Sequence, residues 1–152
     1  HSPADNLVND YLQSLFDKKE PKYLNDIIET LIEIPEYKKA RELKAGPTII
    51  VGDKRQRAGK VFVKMTGGTS GSEKVYEKLV DAGVGTIICM HMPEKHIKLA
   101  KENHLNVIIA GHMASDSLGM NLFLDELEKQ NIIIIPASGL IRVKRITNGD
   151  LH

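Results

Sequence analysis

The sequence predicts an α/β protein: a three-layer domain with a largely parallel or mixed sheet flanked by helices, behind a helical N-terminal third. Three observations predict it. Through residues 1–46, apolar side chains recur at intervals of three and four, the period of amphipathic helices. From residue 47 onward, short β-branched runs alternate with further helical stretches, the order that builds a sheet through βαβ crossovers. Polar and glycine-rich segments fall just after the strand-like runs, where ligands collect in folds of this class.

The first helix is expected from Asp5 to about Phe16, carried by Leu7, Val8, Tyr11, Leu12, Leu15 and Phe16. A second should run from about Lys22 to Glu33 on Leu24, Ile27, Ile28 and Leu31, ending before Pro35. A short third, Glu36 to Leu43, stops at Ala45-Gly46-Pro47. Thr48 to Val51 and Lys60 to Met65 read as strands. After the second comes Gly67-Gly68-Thr69-Ser70-Gly71, then a helix from about Ser72 to Ala82 and a strand from Gly85 to His91, which completes a βαβ unit. A helix from Pro93 to about Asn103 leads to the strand Asn106 to Ala110. The last helix begins near Ala114 and is expected to bury Met120, Phe123, Leu124 and Leu127, with Leu118 and Leu122 widening the stripe, until Asn131. Ile132 to Ile135 reads as a buried strand, and Leu140 to Ile146 as a partly exposed edge strand.

At 152 residues the chain suits a single domain, with residues 1–46 as a helical lead-in and 47–146 as the α/β core. Its 21 basic and 20 acidic residues leave a net charge of +1, which gives no support to a nucleic-acid or membrane-surface partner. Cys89, the only cysteine, lies in an apolar run, so a buried free thiol in a reducing cytoplasm is expected and an intrachain disulfide is excluded. No run approaches a membrane span, and no signal-peptide pattern opens the chain. Because it opens at His1 without Met, a piece of a longer protein is expected.

Three polar segments bear chemistry. In Gly111-His112-Met113-Ala114-Ser115-Asp116, a helix beginning there puts His112 and Asp116 four residues apart on one side. That imidazole and carboxylate could hold a divalent metal, or Asp116 could simply favour a helix start. The loop with Gly67, Gly68, Thr69 and Gly71 could cradle phosphate at a helix N-terminus or serve as a tight turn. It matches neither the P-loop nor the dinucleotide fingerprint. His91, Glu94 and His96 offer ligand or acid-base groups, without a strong zinc spacing; His104 is expected at the surface. No Ser/His/Asp order or G-x-S-x-G elbow is present.

Taken in order, these segments resemble the NIF-three-like family of dinuclear metal proteins, homologues of type-two GTP cyclohydrolase I, from His1 to about Arg142. His1-Ser2-Pro3-Ala4-Asp5 is similar to the family's H-T-x-x-D, which implies a metal-ligand role for Asp5. Gly67 to Gly71 is similar to its glycine-rich turn. Gly111 to Asp116 is similar to its G-H-x-x-[ST]-E, whose His and acid both bind metal. Two departures stand out. Asp116 occupies the place of a Glu, and the family's upstream His-His-Pro ligands have no counterpart, so the chain is expected to be the second half of a duplicated protein.

The resemblance implies a divalent-metal hydrolase-like function, with Zn, Fe, Mn or Mg held by Asp5, His112 and Asp116. The metal-bound water would act on a nucleotide or phosphorylated heterocycle, in the manner of GTP ring opening. Gly67, Gly68, Thr69 and Gly71 would bind that substrate, and His91 would polarise it. A homo-oligomer is implied. The alternatives are a non-catalytic metal-binding regulatory or interaction module, or phosphate binding at the glycine loop without metal.

Overall fold

The structure, a computed structural model, describes residues 3–65, 73–130 and 143–145. The three opening helices form as α1 (Pro3–Lys19), α2 (Leu24–Glu33) and α3 (Pro35–Glu42). Spacings of four and three give α1 and α2 each a buried stripe: Val8, Leu12 and Phe16 in α1, and Leu24, Ile27 and Leu31 in α2. At the start of α2, the Tyr23 backbone N–H donates to the Asp26 carboxylate at 2.9 Å, satisfying a group that helix geometry would leave open. Ile34 ends α2 in an extended conformation, and Pro35 opens α3 where its missing N–H costs nothing.

The sheet contains β1 (Thr48–Val51), β2 (Lys60–Lys64), β3 (Val84–Cys89) and β4 (Asn106–Ile109), in the order β1-β4-β3-β2. β2, β3 and β4 run parallel, joined through the crossover helices α4 (Lys74–Asp81) and α5 (Glu94–Glu102). β1 pairs antiparallel with β4, Thr48 opposite Ile109 and Ile49 opposite Ile108, so the sheet is mixed. Strand alternation divides the core into two. Val61, Val63, Ile88 and Ile108 face a layer of α1, α2, α3 and α6 (His112–Glu128), while Phe62, Ile87, Cys89 and Val107 face α4 and α5. The three-layer α/β reading holds.

Among the described residues β2 lies at the sheet's edge, and α1 covers its outer backbone. Gln13 accepts from Val63 N–H at 2.8 Å and donates to the Val61 carbonyl at 3.0 Å; Asn9 accepts from Met65 N–H at 2.8 Å. Side-chain amides thus supply the bonds that a neighbouring strand would make.

One expectation about α6 is corrected. Met120, assigned to the core, is 41% exposed, and the buried line is Ala114, Leu118, Asn121 and Asp125, with Ser115, Ser117 and Gly119 beside it. Close packing selects this face instead of the greasiest one. A Cβ on Gly119 would stand 2.8 Å from both the Ala4 carbonyl oxygen and Val8 Cγ2 of α1. Gly119→Ala is therefore expected to push the helices apart and lose about 1–3 kcal/mol, read from urea denaturation. An unchanged midpoint would show that the α1–α6 contact can relax at no cost.

The polar groups on this face are paired. Tyr37 Oη and Ser115 Oγ are 2.8 Å apart, and Asn121 Nδ2 donates to Glu36 at 3.0 Å. The expected strand Ile132 to Ile135 lies outside the described residues. Of Leu140 to Ile146, only residues 143–145 are described, and they form no strand. Among the described residues no helix is long and apolar enough to cross a membrane.

Candidate metal and ligand cavity

The chain leaves β3 and β4 toward opposite faces of the sheet. After β3 it enters α5 on one side; after β4 it enters α6, which packs against α1 and α3 on the other. Two adjacent parallel strands whose connections diverge make a topological switch point, and a crevice opens beyond their carboxyl ends. His91 stands after β3 and His112 after β4. Their ring centroids are 5.8 Å apart across that crevice.

Gly111 makes the turn into α6 with φ of 99°, a backbone conformation that side-chain-bearing residues rarely adopt. The helix starts at His112, two residues earlier than the periodicity predicts. His112 and Asp116 are therefore one helical turn apart on the same side, and both are exposed to the crevice. Asp5 arrives from α1. That helix runs antiparallel to β2 along the Asn9 and Gln13 bonds, which carries Asp5 past the strand's carboxyl end.

The four residues Asp5, His91, His112 and Asp116, drawn from separate parts of the sequence, line one cavity of about 560 Å³. Partial burial raises the Asp116 carboxyl above the ordinary value; the His112 charge opposes the shift, and the Asp5 carboxylate adds to it. Two like charges with an imidazole beside them have the donor chemistry of a cation site. The shell is not closed. Among the described residues, no group of three or more His, Cys, Asp or Glu side chains is arranged to hold a metal ion. The glycine loop, with Gly67, Gly68, Thr69 and Gly71, lies outside the described residues.

The cavity also contains residues that sequence reasoning missed or set aside. Lys64 reaches it from β2 and Tyr76 from α4, and His96, given little weight in the sequence, lines it from α5. Alternation along β2 could have flagged Lys64, a cation on the same strand face as the core residue Phe62. Nothing local distinguished Tyr76 from an ordinary core aromatic. Cys89 is buried here, and desolvation pushes its thiol up to about 12 despite the opposing Lys64 charge, so it is no nucleophile at neutral pH. Glu94 and His104 are exposed and do not line the cavity.

No family model matches the sequence, and no curated protein does. Among solved structures, the chain is similar to a NIF3 superfamily protein from Sphaerobacter thermophilus. The two are 29% identical with a TM-score of 0.66, over 90% of this chain and 50% of that one. A Bacillus cereus protein related to NIF3 matches at 18% identity and a TM-score of 0.45, over 72% of this chain and 28% of that chain. The Staphylococcus aureus protein SA1388 matches at 15% identity and 0.46, over 74% and 30%.

Proposed function

Starting from a chain that matches a NIF3 superfamily protein across about half of that protein's length, we propose that it is a divalent-metal-binding, hydrolase-like domain acting on a nucleotide or another phosphorylated heterocycle. The observation that carries this reading is the convergence of Asp5, His91, His112 and Asp116 on one cavity at the switch point. Asp5, His112 and Asp116 would hold the ion, the two carboxylates offsetting its charge. A bound divalent ion lowers the pKa of its water toward neutrality and so supplies a hydroxide nucleophile.

The chain's own residues do the rest. Lys64 offers the cavity an ammonium for an anionic group on the substrate. His91, opposite His112, donates a hydrogen bond to the substrate and polarises it. The loop with Gly67, Gly68, Thr69 and Gly71 joins β2 to α4 in the sequence and is assigned to phosphate binding. In this reading the remaining ligands come from outside the described residues, the isolated chain binds metal weakly, and the working protein is a homo-oligomer.

The open ligand set favours a second reading, metal binding without catalysis, in which the ion organises a regulatory or interaction surface. Calorimetric titration of the chelator-treated chain with Zn²⁺ and Mn²⁺ tests both. Stoichiometric binding that His112→Ala removes is the expected result. No uptake by the wild-type chain would overturn both readings, and uptake without turnover of any nucleotide would favour the second.

A further inference from the structure

A buried polar pair lies against the start of α6. Tyr37 of α3 and Ser115 of α6 are both fully buried, and their hydroxyl oxygens are 2.8 Å apart. Two hydroxyls are tolerated in a core only while each satisfies the other, and their bond has a direction that the apolar contacts around it lack. Ser115 belongs to the turn that carries His112 and Asp116, the exposed residues through which α6 meets the cavity. The Tyr37 phenol feels that turn. Burial raises it, the Ser115 bond opposes the rise, and the Glu36 and Asp116 charges add to it, so the phenol stays protonated at neutral pH.

We propose that Tyr37 is a positioning residue of the cavity: through Ser115 it fixes the rotation of α6 about its axis, and with it the directions in which His112 and Asp116 enter the cavity. The inference rests on those two residues being metal ligands, and it names what holds them in place.

Helix geometry makes the coupling tight. Seen down the axis, Ser115 stands about 60° from His112 and about 100° from Asp116. Side-chain ends lie about 5–6 Å from the axis, so a rotation of about 10° carries them about 1 Å. Metal–ligand bonds tolerate about 0.2 Å. Besides Leu118, the buried neighbours Ala114, Ser117 and Gly119 are small and give the adjoining helices only shallow ridges to grip. A second polar tie between α3 and α6, from Asn121 to Glu36 at 3.0 Å, comes more than a turn later and steadies the middle of the helix.

Tyr37→Phe keeps the ring and removes only the hydroxyl. Ser115 is then left to the Gly111 carbonyl four residues back, a bond that bends a helix at that turn. Calorimetric titration with Zn²⁺ is expected to show about 10-fold weaker binding by Tyr37→Phe and by Ser115→Ala, the lower end of what the outer supports of a ligand contribute. The double variant should lose no more than either single one. Leu24→Val controls for stability. Leu24 is buried, and a Cβ on Gly52 would meet both it and Asn106, which opens β4 at the end away from the cavity. That variant should lower Tm and keep the wild-type affinity. Unchanged affinity in Tyr37→Phe, or an equal loss in Leu24→Val, overturns this inference and leaves the metal reading standing. Should Tyr37→Phe fail to fold, Ser115→Ala reads the same bond from the other side. Amide exchange in chelator gives a readout without metal: Tyr37→Phe should speed exchange at Asp116 and Ser117 about 10-fold relative to Ile88 of β3. If the wild-type chain takes up no Zn²⁺, the proposed function fails while the exchange ratio still decides whether Tyr37 holds the turn, and an unchanged ratio removes the inference as well.

Discussion

Glu36→Ala is expected to remove about 3–5 kcal/mol of stability, the cost of breaking a buried ion pair on one side only. Glu36 is fully buried on α3. It accepts from Arg145 Nη1 at 2.7 Å, from Arg145 Nη2, and from Asn121 Nδ2 at 3.0 Å. The Arg145 guanidinium also lies over the Tyr11 ring, 5.6 Å from its centroid, and the Arg145 backbone N–H donates to Asp125 at 3.1 Å. One carboxylate thus ties residues on α3 and α6 to Arg145, and removing it strands a guanidinium that is only 18% exposed. The exposed Lys39–Glu42 pair should be worth less than about 1 kcal/mol. Guanidinium denaturation of Glu36→Ala, and of Glu36→Ala combined with Arg145→Met, measures the difference. The double variant should recover most of the loss, because no unpaired charge remains. A single-variant loss under about 1 kcal/mol would mean that the pair behaves as a solvated one.

Asp116→Asn should weaken divalent-metal binding by about 100-fold or more, the upper end of what loss of a ligand's supporting partner costs, since a ligand itself is removed. In chelator the same substitution should stabilise the fold at neutral pH. The sign follows from the raised carboxyl. Between the ordinary carboxyl value and the folded one, the native state binds more protons than the unfolded state, so stability falls as pH rises through that window. Asparagine never ionises and escapes the loss. Below the ordinary value the two proteins should have the same Tm; above the folded value the variant should melt higher. Melting curves over a pH series, beside metal titrations, check both halves. A variant that melts lower at neutral pH would show that Asp116 is held by favourable contacts, contrary to a site that stores like charge for a cation.

Much of this arrangement was legible before any fold was known. Strand and helix periods differ enough that every described element appears in its expected order, with boundaries displaced by a few residues where caps intervene. At Gly111, for instance, positive φ starts α6 early. His91, His112 and Asp116 stand out because they follow apolar runs, and strand ends are where such folds bind ligands. Asp5 came only through resemblance; no periodicity says that the first turn of α1 reaches the far end of β2. The antiparallel pairing of β1 with β4 joins segments far apart in the sequence with no local marker. The buried face of α6 was misread because hydropathy marks Met120, whereas close approach rewards Gly119, Ser115 and Asn121. Tyr76 and His96 belong together only once α4 and α5 lie side by side.

The seam between α1 and β2 sets a length standard for the site. Four helical residues advance about 6 Å along an axis, and two strand residues about 6.6 Å. Side chains four apart on α1 can therefore meet every second residue of β2, as Gln13 and Asn9 do at Val63 and Met65. Asp5 is the next tooth of this rack, one step beyond the end of the strand. Its position in the cavity is metered by the mesh of helix and strand, not by its immediate neighbours. An insertion of one residue between Asp5 and Asn9 would turn the carboxylate by about 100° and leave the mesh intact. The length of α1 between its teeth is thus as much a part of the cavity's chemistry as the identity of the acid it delivers.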